Sequence, residues 1–345
     1  MVDQAGSEVR LKMRRIIVWK HGLKPGAALL AVLVLAGASF GQDKKEPTFL
    51  SISKAFKLSG WTQFQYVGWD KGVDSFSIRR SRLTLAGDIL NKMRYKLQVD
   101  FAKTPTLLDA IVEVEFSQAV QLRVGQFLVP FSLENVTGTS DVDMINRSQP
   151  EEKLAPGRDN ASQGRDVGVA VFGNYSVVEY TAAIVNGAGI NKPDTNSRKD
   201  LVGRVVLHPL KYLAVGGSYY KGKQSATAEA PLVTRDKAGL EMALVLDRAS
   251  LKSEYYYAKD DKLTRNGWYV QGGYFVLSKK VQALVKYDVV DMNRTLSGDR
   301  IGRYTAGVNW FLSGRTKLQL NYELYKLESG KTDNQAILAM LQVAY

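Results

Sequence analysis

From residue 58 to the last residue, apolar and polar positions alternate with a period of two. Tyr95-Lys96-Leu97-Gln98-Val99-Asp100-Phe101 sets four large apolar side chains against Lys, Gln and Asp. Thr316 to Tyr325 repeats the pattern, with Leu318, Leu320, Tyr322 and Leu324 against Lys317, Gln319, Asn321 and Glu323. Val281 to Val289 does the same. Successive side chains of a strand point to opposite faces, so such a segment has one face for oil and one for water. Sixteen segments of this kind lie near 58–69, 76–89, 93–102, 107–116, 120–129, 165–173, 177–186, 199–207, 213–220, 236–246, 249–258, 266–276, 281–290, 302–312, 316–325 and 335–345. Most have the ~9–11 residues that a tilted strand needs to cross a bilayer.

The connections alternate as well. Those after even-numbered strands are short, such as Leu90-Asn91-Lys92 and Ser313-Gly314-Arg315, whereas those after odd-numbered strands are mostly longer, the longest running over about 130–164. An even strand count puts both ends of the sheet on the short-turn side. The last segment carries Ile337, Ala339, Leu341, Val343 and Tyr345 on one face. Tyr255, Tyr257, Trp268, Tyr274, Tyr287, Tyr304, Trp310 and Tyr322 also fall on the apolar register, as interfacial girdles require. A soluble sandwich or propeller shares one core between its apolar faces and has no use for sixteen long strands ending in aromatics. The pattern predicts an all-β fold: a transmembrane up-and-down antiparallel β-barrel of 16 strands spanning 58–345, in the outer membrane of a bacterium.

Composition narrows the chemistry. Cys is absent and only two His are present, His21 and His208, so thiol chemistry, disulfides and His-based metal sites are set aside. A Ser-His triad would need His208, which sits in a His208-Pro209 turn sequence, and the expectation is a protein without catalytic residues, metal or cofactor. Residues 1–41 read as an export signal: Arg14, Arg15, Lys20 and Lys24 precede an apolar run from Ala27 to Ala38, and Ser39 and Gly41 place cleavage near Gly41/Gln42. The start is Met1 or Met13, and 42–57 form a polar periplasmic lead. The signal holds six bases and two acids, which leaves +9 of the chain's net +13. No basic helix or aromatic-basic platform accompanies that charge, so nucleic acid is not an expected partner.

Several stretches occur in an order that resembles the phosphate-selective porin O and P family. They are Ser77-Ile78-Arg79-Arg80-Ser81-Arg82-Leu83, Val124-Gly125-Gln126-Phe127-Leu128-Val129-Pro130-Phe131-Ser132-Leu133-Glu134, Gly164-Arg165-Asp166-Val167-Gly168, Asn186-Gly187-Ala188-Gly189 and Lys199-Asp200-Leu201-Val202-Gly203-Arg204. The resemblance implies a homotrimeric outer-membrane diffusion channel for small anions, phosphate or polyphosphate, narrowed by a loop that folds inward. By motif match, Arg79-Arg80-Ser81-Arg82 corresponds to the family's arginine-rich second strand, and 132–164 to the constricting loop. Leu128 stands where the family pattern often has a base.

On the strand register, Leu83, Leu85 and Ile89 face lipid, so Arg80 and Arg82 point inward and Arg79 falls outward unless a bulge shifts it. Lys96, Arg123, Arg204, Lys252, Lys286, Arg303 and Lys317 share the inward face, and Arg147, Lys153 and Arg158 are the bases of the constricting loop. The inward acids, from Asp88 and Asp100 to Asp288 and Glu323, are about as numerous, so the wall is not a basic tube. The positive excess falls to loop and turn residues such as Lys71, Lys103, Lys221, Arg235 and Arg265, which would draw anions to the mouth or bind lipid headgroups. Two alternatives stay open: a general, weakly selective porin for small hydrophilic solutes, and a plugged structural or adhesive barrel.

Overall fold

The computed structural model describes residues 56–104, 107–225, 230–277 and 279–345. The expected signal and nearly all of the polar lead lie outside these residues. Sixteen strands follow one another: β1 (Phe56–Trp69), β2 (Ser75–Leu90), β3 (Met93–Asp100), β4 (Leu107–Glu115), β5 (Gln121–Leu128), β6 (Arg165–Tyr175), β7 (Val178–Val185), β8 (Asp200–Leu210), β9 (Leu213–Gln224), β10 (Val233–Val245), β11 (Ala249–Asp260), β12 (Leu263–Leu277), β13 (Val281–Asp291), β14 (Ile301–Ser313), β15 (Thr316–Leu327) and β16 (Thr332–Ala344). Each pairs antiparallel with its neighbours in sequence, and β1 pairs with β16 to close the barrel. The seam runs from Trp61↔Ala344 to Trp69↔Ala336. Closure removes every sheet edge, which satisfies backbone groups that lipid cannot.

Alternation in sequence becomes inside and outside. In β15, Leu320 is 54% exposed on the outer surface, while its neighbour Asn321 is 1% exposed inside. Ile337 and Tyr345 face out with Trp268, Tyr274, Tyr304 and Trp310. Turns at one end are tight, and Lys92 (φ 65°), Ser176 (φ 54°) and Lys279 (φ 56°) turn the chain through the left-handed region. At the other end the connections are longer, except that β11 and β12 are joined by Asp261-Lys262 alone.

The segment after β5 folds into the barrel and carries two short helices, α1 (Leu133–Val136) and α2 (Gln149–Leu154). Both start on a serine whose hydroxyl accepts a backbone N–H: Ser132 from Asn135 at 3.0 Å and Ser148 from Glu151 at 3.3 Å. The loop lies along the inner wall. Leu133 and Glu134 donate their N–H groups to the Glu254 carboxylate of β11, both at 2.8 Å. Ile145 N–H reaches Asn321 of β15, and Gln342 of β16 donates to Ser140 O. The apolar core therefore sits inside the barrel. Phe127, Val129, Phe131, Leu154 and Ala155 pack against Tyr220, Tyr256, Tyr269 and Val290 of the wall. Ile145 packs against Ala336, Leu338 and Met340, which explains why the inner face of β16 is apolar.

Candidate solute pathway

The arginine run of β2 meets the inward loop. Along β1, Gln63 faces Arg80 but Phe64 faces Ile78, so Arg79 is the extra residue of a β-bulge. The bulge turns Arg79 inward beside Arg80, where unbroken alternation would have sent it out. Arg79 Nη1 donates to Gln65 Oε1 at 3.0 Å and Nη2 to Asn146 Oδ1 of the loop at 2.8 Å. Arg80 Nη1 donates to Gln63 Oε1 at 3.0 Å, and its buried Nε has no acceptor among the described residues. Arg82 differs in kind. It is 3% exposed and pairs through Nε with Asp100 Oδ2 at 2.9 Å. Its two terminal nitrogens hold the loop, at Thr139 Oγ1 (3.2 Å) and Gln163 Oε1 (2.9 Å).

The other inward bases are occupied. Lys96 pairs with Asp109 at 2.7 Å and Arg123 with Glu113 at 2.7 Å. Arg204 bridges Glu179 (2.9 Å) and Glu241, and Arg303 bridges Asp288 (3.0 Å) and Glu323 (3.4 Å). Lys252 pairs with Asp143 of the loop at 2.7 Å. Lys286 and Lys317 donate to loop carbonyls, Asn146 O at 2.9 Å and Val142 O at 3.0 Å. Within the loop, Arg147 donates to the carbonyls of Glu134 and Thr137. Arg158 is spent on Glu151 and Asn135, each at 2.9 Å. Lys153 is exposed. Arg235 and Arg265, read from sequence as mouth residues, lie in β10 and β12, where Arg235 grips Asp159 of the loop and Arg265 grips Asp260.

Arg79 and Arg80 thus meet amide oxygens where their neighbours meet carboxylates. Lys103, just past β3, shares their field: burial first, then the charges of Arg80 and Arg79, push its ammonium pKa down. On the short-turn side of Arg82 a cavity of about 550 Å³ opens, lined among others by Trp61, Thr84, Lys96, Gln98, Thr139 and Arg165. Arg82 therefore stands between the Arg79–Arg80 pair and this chamber. Sequence reasoning placed Asp100 and Asp109 on the inward face but missed Gln63, Gln65, Asn146, Thr139 and Gln163. Polar uncharged residues carry no signal of their own, and their roles depend on a bulge and on a loop path. Among the described residues no group of three acidic or imidazole side chains is arranged to hold a metal ion. His208 lies near the end of β8, its Nε2 3.5 Å from Glu179.

The sequence profile of the family described as "Phosphate-selective porin O and P" matches residues 62–235 and 226–345. No curated protein matches the chain in sequence. Among solved structures, the anion-selective porin from Comamonas acidovorans superposes with a TM-score of 0.66 at 15% identity, over 84% of this chain and 99% of that one. The trimer form of OmpT of Vibrio cholerae gives 0.64 at 11% identity, over 84% and 99%. The outer membrane channel DcaP of Acinetobacter baumannii gives 0.57 at 12% identity, over 84% and 97%. At these identities the superpositions establish the fold.

Proposed function

This chain belongs to the phosphate-selective porin O and P family and is a channel of the bacterial outer membrane, and from that premise we propose that it conducts small anions, with phosphate or polyphosphate as the preferred solutes. The observation that carries this reading is the pair Arg79 and Arg80, turned inward together and, among the described residues, bonded only to amide oxygens, with the Arg80 Nε left without an acceptor. A guanidinium offers parallel N–H groups that match an oxyanion, and a buried donor without a partner is costly until one arrives. An anion drawn past Lys103 would exchange part of its hydration shell for Arg79 and Arg80. It would then pass Arg82, whose charge Asp100 already balances, into the chamber lined by Lys96, Gln98 and Arg165. Binding at one such station is strong enough to enter and weak enough to leave.

A trimer is the assembly that fits this reading, since OmpT of Vibrio cholerae has a trimer form. The outer face of β1, β2 and β14 to β16 also carries an apolar concavity of about 880 Å³, bordered by Phe64, Phe76, Ile78, Trp310 and Leu320. A second reading, a general weakly selective porin, is favoured by the pairing of Lys96, Arg123, Arg204 and Arg303 with acids.

Planar-bilayer recording separates the readings. Phosphate should block chloride current in a saturable way, and Arg79→Ala and Arg80→Ala should each raise the half-blocking concentration by about tenfold, the value of one charge-assisted hydrogen bond. Block that is absent from the wild type, or unchanged from the wild type in both variants, would return the protein to the general class; a silent bilayer would mean a plugged barrel.

A further inference from the structure

We propose that the outer face of β8 to β11 holds one phosphorylated lipid of the outer leaflet, with an acyl chain in an apolar groove and a phosphate on the lysines at the groove's upper end. The inference needs only the membrane location of the barrel and is independent of the anion station at Arg79 and Arg80.

The groove has a volume of about 630 Å³ and is lined among others by Gly203, Val205, Gly217, Tyr219, Leu240 and Tyr255. Its walls stand out from the barrel, with Leu240 65% and Tyr219 52% exposed. The strand ladder explains its shape. Gly203 pairs with Tyr219, and Gly217 pairs with Val205 on one side and Leu240 on the other. Two outward positions without a side chain thus lie between large neighbours. Neither glycine is demanded by the barrel itself, since neither has a positive φ. A Cβ on Gly203 would come no nearer than 3.9 Å to Thr181 O, and one on Gly217 would meet Gly239 O at 3.4 Å, both ordinary contacts. The missing side chains leave a space that this chain does not fill.

The charge lies one step above. Toward the long-loop end, the next outward positions after Tyr219, Ala238 and Tyr257 are Lys221, Asp236 and Lys259, about 7 Å further along their strands. Lys223 follows in β9 and Lys262 in the turn after β11, and all four lysines are exposed. Lys199 pairs with Asp194 and Lys252 with Asp143. Lys221, Lys223, Lys259 and Lys262 make no ion pair among the described residues. Asp236 and Asp261 offset only part of their charge. Tyr219, Tyr255 and Trp268 form the girdle just below, which sets the ammonium groups at headgroup depth. Long loops of such a barrel face outward from the cell, so the leaflet is the outer one. Lysines at a membrane surface are drawn to anionic headgroups, and the groove adds apolar burial that a free phosphate cannot use. Phosphate above and hydrocarbon below select a phosphorylated lipid over a zwitterionic one and over a soluble anion. The face lies across the barrel from the apolar concavity near the seam, so a subunit packed on that concavity leaves it to lipid.

The test is native mass spectrometry of the mature channel in detergent, titrated with lipid A as the phosphorylated lipid. The wild type should bind lipid A in preference to phosphatidylethanolamine. Lys221→Gln combined with Lys259→Gln should raise the half-saturating lipid A concentration about tenfold. Gly217→Leu fills the groove with a side chain that a lipid-facing position tolerates, and should weaken binding as well. Inorganic phosphate should not displace the lipid, and phosphate block of chloride current should be the same in all these channels, because the groove lies outside the pore. Unchanged lipid A binding in the lysine variant overturns the proposal, as does displacement of the lipid by inorganic phosphate. Loss of the oligomer in Gly217→Leu with lipid binding intact would give the face to a second copy of the chain and also overturns it. If Gly217→Leu misassembles, the lysine variant decides, since both of its side chains are exposed.

Discussion

The three arginines of β2 show that residue type does not fix role. Arg80 and Arg82 sit two apart on one face, yet one ends on an amide oxygen and the other on a buried carboxylate. Arg82 is 3% exposed and Asp100 0%, so removing Arg82 strands a charge. Arg82→Ala should cost about 3–5 kcal/mol of stability, and adding Asp100→Asn should recover much of it. Loss of the heat-resistant folded band in detergent electrophoresis, restored in the double variant, would show this. Equal instability of single and double variants would mean that Arg82 acts through Thr139 and Gln163 and not through its charge partner. The corresponding change at Arg80 should leave the folded band intact, because among the described residues it bonds Gln63 and pairs with no acid.

At the scale of an element, the inward loop is a second structure docked on the first. Its polar anchors come from wall strands far away in sequence: Glu254 on the N–H groups of α1, Asn321 on Ile145, and Arg235 and Lys237 on Asp159. Burial alone would raise the Asp159 carboxyl, but Lys237 and Arg235 overcome it and hold its pKa below the usual aspartate value of 3.8. A carboxyl depressed on docking stabilises the docked loop at every pH above its undocked value, and that stability is lost only as pH falls through the depressed one. The Asp159 anchor itself should therefore contribute equally to the loop's protease resistance at pH 7 and pH 5. Asp159→Ala removes the loop carboxylate that two buried bases share and should expose 129–164 to cleavage and raise open-channel noise, while the barrel stays folded. If the variant is as protease-resistant as the wild type, the anchor lies elsewhere along the loop.

Across the whole molecule the decisive contact is the seam. Gly60 and Tyr345 exchange backbone hydrogen bonds at 2.8 and 2.9 Å, and the pairing continues to Trp69 and Ala336. In hydrocarbon an open edge is not tolerated, so the seam is made or the barrel is not. Removing Val343, Ala344 and Tyr345 unpairs the short-turn end of the seam and should sharply lower the yield of heat-modifiable folded barrel. Substituting Tyr345 by Ala keeps the backbone bonds and should lower it far less. Equal yields for truncation and substitution would show that the side chain, and not the ladder, carries the closure.

The sequence by itself determined the barrel. All sixteen strands lie where the alternation placed them, shifted at most a few residues at their ends, as with β10 starting at Val233 where 236 was expected. Two faces meeting two solvents is a local property, repeated at every second residue, so it can be read without knowing any partner. The sequence also identified the arginine run and the long loop as special. Only the tertiary structure decided which arginines stay available. A one-residue bulge between Gln63 and Phe64 brings Arg79 in, Asp100 claims Arg82, and the path of the loop spends Arg147 and Arg158 on its own fold. These outcomes depend on pairings between residues tens of positions apart, and a period of two carries no information about such pairings.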